Sequence, residues 1–412
     1  MNFRKRFILF SFIAIFLFAI MFVWGFFAHR NKIFPYVLLR FFKASERLEI
    51  QLRPVDILAN LTSLPYIKGT YDSNFKKTGV IFYDQENTAD GYNFYNSREK
   101  NIAYLINMKG RIIHQWSYPS GPWQHTELFP NGDVIALIKD ERLIKIDKNS
   151  RLIWSFSDRF HHDIWIDSNQ DIYALKRKPE IVPKIHKKVR TLVDYFIILS
   201  KNGIKKEEVS ILKIILNSQY SFILPSISDL KFDVKDELDI LHTNHIEVFN
   251  GNLEKKSTIF KKGNILMSIR NINTNMIIDK NKKEIVWIWG LTNLTFHHHA
   301  TCLNTGNILL FNNGFERSEI IEVDPLSYQI KWRYTHKGFF SKTRGSNQRL
   351  DNGNTLITES DTGYVFEVTP THKIVWKFAN PEINKEGIRM AIWRMKRFNA
   401  NELTFLNKKN VK

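Results

Sequence analysis

From Gly79 almost to the C-terminus, apolar and polar residues alternate in short runs broken by Asn, Gly and Asp, a pattern of strands and tight turns. Two pieces of it repeat. Strands ending in tryptophan recur at Arg111–Trp116, Arg151–Trp154, Glu284–Trp287, Gln329–Trp332 and Lys373–Trp376. After each comes a turn that opens a strand: Pro130–Leu137, Ser168–Leu175, Thr305–Leu310, Asp351–Ile357 and the weaker Asn399–Thr404, with Lys261–Met267 as a further copy. With Gly132, Gln170, Gly263, Gly306, Gly353 and Asn401 as equivalent positions, the steps are 38, 93, 43, 47 and 48 residues. Most steps match one propeller blade. The step of 93 holds one further strand pair, around Val193–Ser200, so it reads as one enlarged blade with a basic loop and a helical segment near Ile211–Ser218. The expected fold is all-β, a six-bladed propeller whose first strands line a central channel and bring distant repeats to one mouth. Each repeat tryptophan is expected to pack in an outer blade.

Ahead of the repeats, Phe7–Phe27 is an almost unbroken apolar run, long enough to cross a bilayer as a helix and followed by no Ala-x-Ala-like cleavage site. It predicts an uncleaved N-terminal transmembrane anchor within residues 1–30. Residues 31–78 read as a membrane-proximal helical connector, with helix-compatible spacing over Phe41–Leu64 and a break at Pro54. The propeller takes 79–412. Arg4, Lys5 and Arg6 before the run favour a cytoplasmic N-terminus and a propeller on the periplasmic or extracellular side, although Arg30, Lys32, Arg40 and Lys43 weaken the asymmetry.

Composition changes this picture little. The 412 residues are 43% hydrophobic and 25% charged, a globular balance. The formal charge of +19 would attract anionic lipid, nucleic acid or anionic substrate. Seven cations fall within Lys176–Arg190, which reads as a solvated loop. No nucleic-acid module is present, and Cys302 is the single cysteine, so no intramolecular disulfide forms.

Candidate chemistry centres on Phe296–Gly314, where His297, His298 and His299 directly precede a strand, an Asn-Thr-Gly-Asn turn and a second strand. Each ring must satisfy two nitrogens, so the triplet is a poor core former. Strand alternation sends His298 to one face and His297 with His299 to the other. The plain alternative is a solvated or metal-touching tract. Other polar residues depart from the repeat at His161-His162-Asp163, along Asp239–Glu247, and at Ser268-Ile-Arg270-Asn271. Imidazoles from several strands could hold zinc, but Arg270 sits badly beside a divalent cation and suits a tetrahedral oxyanion. No metal or cofactor is expected.

Together, Gly91-Tyr-Asn-Phe-Tyr-Asn-Ser97, His162-Asp163, Asp239-x-x-His242-x-Asn244, Ser268-x-Arg270 and His298-x-Ala300 resemble the arylsulfate sulfotransferase family over roughly Gly79–Phe405. The resemblance implies a six-bladed propeller that moves a sulfuryl group from an aryl sulfate to a phenolic acceptor, without a nucleotide donor, through a sulfated histidine. By motif, His298 resembles the nucleophile, and His162, His242 and Arg270 the groups around the transferred sulfuryl. Asn244, Asn271 and His299 are then expected at the substrate. This chain departs from the family in having three histidines where one is usual, so His297 or His299 could exchange roles with His298. His245 is extra, Asn250–Lys261 looks inserted, and paired cysteines are absent. Small Ala300 and Cys302 on the His298 face are expected to leave room for an aryl sulfate. A non-catalytic propeller that scaffolds an envelope assembly is the competing reading, separated from the first by whether His162, His242, Arg270 and His298 meet in one pocket.

Overall fold

A computed structural model describes residues 69–71, 77–225, 227 and 237–406, which lie in one compact unit, Asn60–Lys412. The apolar run Phe7–Phe27 and the Phe41–Leu64 connector fall outside the described residues. Among the described residues no helix is long and apolar enough to cross a membrane.

Six sheets of four or five strands form the propeller, antiparallel except where Glu237–Leu238 joins Arg190–Leu199 in parallel. The second to sixth blades start, at their innermost strands, with Trp123–Leu128, Phe160–Ile166, Thr243–Val248, His298–Cys302 and Ser346–Arg349. The first blade is made from both ends of the chain: Ile392–Phe398 is innermost and pairs with Tyr92–Ser97, with Phe398 opposite Tyr92. Here Asn399–Thr404 departs from the sequence expectation. It opens no strand; Ala400–Glu402 is a short 3-10 turn held by an Asn399/Glu402 capping box. The strand that should follow comes from the N-terminal side of the propeller and closes the ring. Two further strands were not foreseen. Gly79–Tyr83 adds a fifth strand to the sixth blade, and Gly69–Tyr71, within the stretch read as connector, pairs with Ile388–Met390.

The strand period of two explains why second strands such as Val134–Ile138 and Ile308–Asn312 are buried on both faces. In Val134–Ile138, Val134, Ala136 and Ile138 pack toward the first blade, whereas Ile135 and Leu137 pack toward the third. Each Val, Ile or Leu among them contributes roughly 1.5–3 kcal/mol when fully buried.

The tryptophan repeat adds a polar latch to this packing. The indole N–H of Trp116 donates to Gly132 O at 2.9 Å, Trp154 to Lys201 O at 3.1 Å, Trp287 to Pro325 O at 2.9 Å, Trp332 to Pro370 O at 3.0 Å and Trp376 to Met108 O at 3.0 Å. In every case the acceptor lies in a turn of the next blade. An outer-strand tryptophan therefore fills the gap between blades and satisfies a turn carbonyl across it.

The third blade is the enlarged one. Its strands Ile172–Glu180 and Arg190–Leu199 pair along their whole length, and the helix Ile211–Leu216 follows, capped by Ser210. The basic cluster between them is not simply solvated. Lys176 is buried against Asp158 and Glu208, Arg177 pairs with Asp140 at 3.0 Å, and Arg190 pairs with Glu237 at 3.2 Å.

Candidate active site

Five of the six innermost strands carry a register shift near their first residues: at Trp123/His125, Phe160/Ile164, Thr243/His245, His298/Thr301 and Ile392/Met395. All lie at one end of the channel. A bulge breaks the two-residue alternation and re-aims side chains. His162 and His299 within these shifts, and His242 just before its strand, have left-handed backbones, with φ of 60°, 47° and 51°.

These bulges bring imidazoles of different blades together. His162 Nε2 and His242 Nε2 are 2.9 Å apart, and His242 Nδ1 donates to Asp239 Oδ2 at 2.5 Å. The His162 backbone N–H is held by Gln124 Oε1 of the second blade at 3.2 Å. On the fifth blade, His298 Nδ1 lies 2.7 Å from Asn313 Oδ1, while Asn313 Nδ2 donates to Ser341 O at 2.6 Å and to Arg344 O at 2.8 Å. Arg270 opens the 3-10 turn Arg270–Ile272 that follows the second strand of the fourth blade. Its guanidinium sits 4.4 Å from the Phe296 ring centre and donates to Asn271 Oδ1 at 2.8 Å.

Burial sets the charge state of this group. It holds His298 well below the ordinary histidine value, assisted by Arg270, with Asn313 opposing. Burial and the neighbouring His242 do the same to His162. His242 is also lowered by burial, but less freely, because Asp239 favours its cation. For Asp239 burial works against ionisation, yet His242 and Arg177 bring it down to about 2. The two shifts belong to one hydrogen-bonded pair, in which the His242 Nδ1–H is donated to the Asp239 carboxylate. Burial lowers Arg270 to about 10, which leaves it cationic at neutral pH. The result is neutral imidazoles around one persistent cation, suited to an anionic group with a transferable centre.

The family description "Arylsulfotransferase (ASST)" matches residues 125–381, more than half of the chain. The chain belongs to the arylsulfotransferase family. No curated protein matches it. Among solved structures, a protein of unknown function from Bacteroides caccae is similar in fold, at 12% identity and TM-score 0.50 over 74% of this chain and 98% of that one. The streptogramin B lyase structure is more distant, at 12% identity and TM-score 0.46 over 82% and 96%.

Within this arylsulfotransferase propeller, the histidine triplet separates in a way that simple alternation does not give. His297 Nε2 lies 3.0 Å from Asn275 Oδ1 inside the neighbouring blade, and burial with Arg270 lowers it to about 3. His299 turns into the channel, its ring 4.6 Å from that of His245 and its carbonyl held by Asn347. Thus His297 and His299 share no face. For the same reason Ala300 does not open space beside His298: it is fully buried in the apolar core between the fourth and fifth blades, with Cys302 against that core.

The polar residues expected at the substrate act on other residues. Asn244 Nδ2 donates to His297 O at 2.9 Å, and Asn271 braces Arg270 on one side and Asp239 O at 2.6 Å on the other. Asp163, beside His162 in sequence, points below the mouth. It joins His245 Nδ1 at 2.5 Å, Arg394 Nη2 at 2.9 Å and His125 Nε2 at 3.3 Å, tying four blades across the channel. Burial opposes the Asp163 charge, but Arg394 and His245 hold its carboxyl well below the usual carboxylate range. Asn313 and Arg394 carry no motif signal. Asn313 follows a strand in an ordinary Asn-Asn-Gly turn, and Arg394 reaches Asp163 only because the C-terminal strand returns to the ring. Among the described residues no cluster of His, Cys, Asp or Glu has metal-holding geometry.

Proposed function

We propose that the protein transfers a sulfuryl group from an aryl sulfate to a phenolic acceptor through a sulfohistidine on His298 Nε2. The observation that carries this reading is the Asn313 contact. Two carbonyls fix the Asn313 amide nitrogen, so its oxygen faces His298 Nδ1; that nitrogen bears the ring proton, and Nε2 keeps the lone pair. His297 has its Nε2 engaged by Asn275, and His299 accepts at Nδ1 from the Asn347 backbone N–H at 3.3 Å, so neither offers the same arrangement.

In the donor step, His298 Nε2 attacks sulfur, the N–S bond forms as the S–O(aryl) bond breaks, and the electron pair leaves on the phenolate oxygen. The Nδ1 proton stays in place and its bond to Asn313 strengthens as the ring becomes cationic. Arg270 meets the sulfuryl oxygens as their charge shifts. The protonated form of the His162–His242 pair, favoured by Asp239 and by the bound anion, delivers a proton to the phenolate. In the acceptor step a phenol oxygen attacks sulfur, its proton passes to His242, the N–S bond breaks and the lone pair returns to His298. Splitting the transfer into two steps lets both phenols use one site in turn.

Donor alone should leave one sulfuryl group on the protein, mapped to His298, and His298→Ala should lose both label and turnover while keeping the fold. Label on His297 or His299 would reassign the nucleophile. Absence of label and turnover with every aryl sulfate would favour a scaffolding propeller. Arg4, Lys5 and Arg6 ahead of Phe7–Phe27 support a single-pass anchor with the propeller on the periplasmic or extracellular side. A C-terminal reporter fusion should read as external, and a cytoplasmic signal would reject that orientation.

A further inference from the structure

The sulfuryl-transfer reading leaves one carboxyl without a role. Glu247 ends the inner strand of the fourth blade together with Val248, and it accepts one hydrogen bond, from the Cys302 backbone N–H at 3.0 Å. Its residue is 7% exposed, and among the described residues no cation pairs with it. Lys396, whose charge favours its ionisation, is paired with Glu127 at 3.6 Å. A buried carboxyl with a single donor is costly unless something completes it.

Glu247 lines a cavity of about 270 Å³ with Trp165, Phe249, Leu253, Phe260 and Cys302 among its walls. This cavity is separate from the histidine cluster. Cys302 is the last residue of the strand that His298 begins, so the two mark opposite ends of it. The segment Asn250–Lys261, which looks inserted in the sequence, builds one side of it. Ser257 caps the short turn Thr258–Phe260, which buries Phe260 against Phe249 with ring centres 5.8 Å apart. Lys256 reaches across to Thr305 O and fixes the loop to the next blade.

We propose that this cavity binds a small organic ammonium with a flat apolar body, the ammonium meeting the Glu247 carboxylate and the body lying against Trp165, Phe249 and Phe260. The chemistry follows from the lining. Glu247 is the only carboxylate in a lining whose other polar side chains are the neutral amides of Asn250, Asn252 and Asn304, a weak set for a divalent ion, which draws on several oxygen ligands. An ammonium is matched by one carboxylate and an indole face, and the aromatic walls favour an aryl or alkyl body over a bare cation. Burial also pushes Glu247 up to about 8, so the empty cavity is poised between neutral and charged forms and a bound cation would shift it to the charged one.

The test is calorimetric titration of the full chain with phenethylammonium, using 2-phenylethanol and phenylacetate as uncharged and anionic counterparts. One phenethylammonium should bind per chain at pH 8.5, and the two counterparts should not. Its affinity should fall severalfold to tenfold for each pH unit lowered from 8, with a proton released on binding. Glu247→Gln should weaken binding at least tenfold, and Leu253→Lys, which places a tethered ammonium in the cavity, should abolish it without touching the carboxyl. No saturable binding by wild-type protein at millimolar ligand, equal binding of 2-phenylethanol, or unchanged affinity in either variant would overturn the proposal. Because the readout is binding, loss of sulfuryl transfer in His298→Ala leaves it unaffected.

Discussion

Asp239→Asn isolates the charge behind the proposed acid–base pair. Asparagine has nearly the same shape and keeps an oxygen that can accept from His242 Nδ1, now 2.5 Å from the Asp239 carboxylate. What it removes is the negative charge. The Asp239 carboxyl is lowered from 3.8 to about 2, which at about 1.4 kcal/mol per pK unit corresponds to roughly 2 kcal/mol of stability. A depressed carboxylate contributes fully above its unfolded value and loses that contribution as pH falls through the folded one. The variant should therefore unfold roughly 2 kcal/mol more easily at pH 7, with the gap closing between about pH 4 and pH 2. The kinetic consequence is selective. Without Asp239, His242 holds a proton more weakly, so departure of a poorly acidic phenol should slow about a hundredfold, the low end of general acid contributions. A nitrophenolate leaves without a proton and should be nearly unaffected. Rapid-quench measurement of protein-bound sulfuryl from phenyl sulfate and 4-nitrophenyl sulfate compares the two. Equal slowing with both donors would show that Asp239 acts through structure, and no slowing with either would remove the His162–His242 pair from the chemistry.

Arg270→Ala should lower turnover about a hundred- to a thousandfold, the effect of losing one preorganised group that stabilises developing charge, and steady-state kinetics with saturating donor would measure it. Because burial lowers His298 well below its ordinary value, it stays neutral as pH falls, so the amplitude of donor-only labelling should be the same at pH 8 and pH 6.5; loss of half the label at pH 6.5 would contradict a buried nucleophile. Trp376→Phe removes the N–H that meets Met108 O at the joint between the sixth and first blades, and leaving that carbonyl unpaired should cost about 1–3 kcal/mol, read as a lower denaturant midpoint.

The ring was legible because a blade is a local unit: a tryptophan strand and a glycine turn recur at nearly constant steps, and second-strand runs such as Val134–Ile138 have to be buried on both sides. The motif residues His162, His242, Arg270 and His298 were named from short sequence patterns, and the geometry brings the three imidazoles and the guanidinium to one end of the channel. What the sequence hid was backbone conformation. Alternation predicts one face for His297 and His299 and another for His298, Ala300 and Cys302, but a left-handed His299 within a bulge breaks that register. Asn313 and Arg394 were hidden for a different reason, since their partners are fixed only when loops and strands far apart in the chain meet. Asn399–Thr404 misled because a turn signal carries no information about which end of the chain supplies the next strand.

The bulges also explain why the mouth and the ring stand or fall together. Left-handed backbones at His162, His242, Phe296 and His299 cost about 1–3 kcal/mol each and persist only where surrounding contacts over-determine them. Several of those contacts cross a blade boundary. Gln124 of the second blade holds the His162 backbone, Asn273 of the fourth holds Phe296 N–H at 2.8 Å, and Asn347 of the sixth holds the His299 carbonyl at 2.9 Å. A regular inner strand would need none of these bonds, but it could not aim His162 and His242 at each other from adjacent blades. Strain at the mouth is thus offset by hydrogen bonds between neighbouring blades, and Arg394 of the C-terminal strand Ile392–Phe398 ties the first blade to Asp163 of the third just below it.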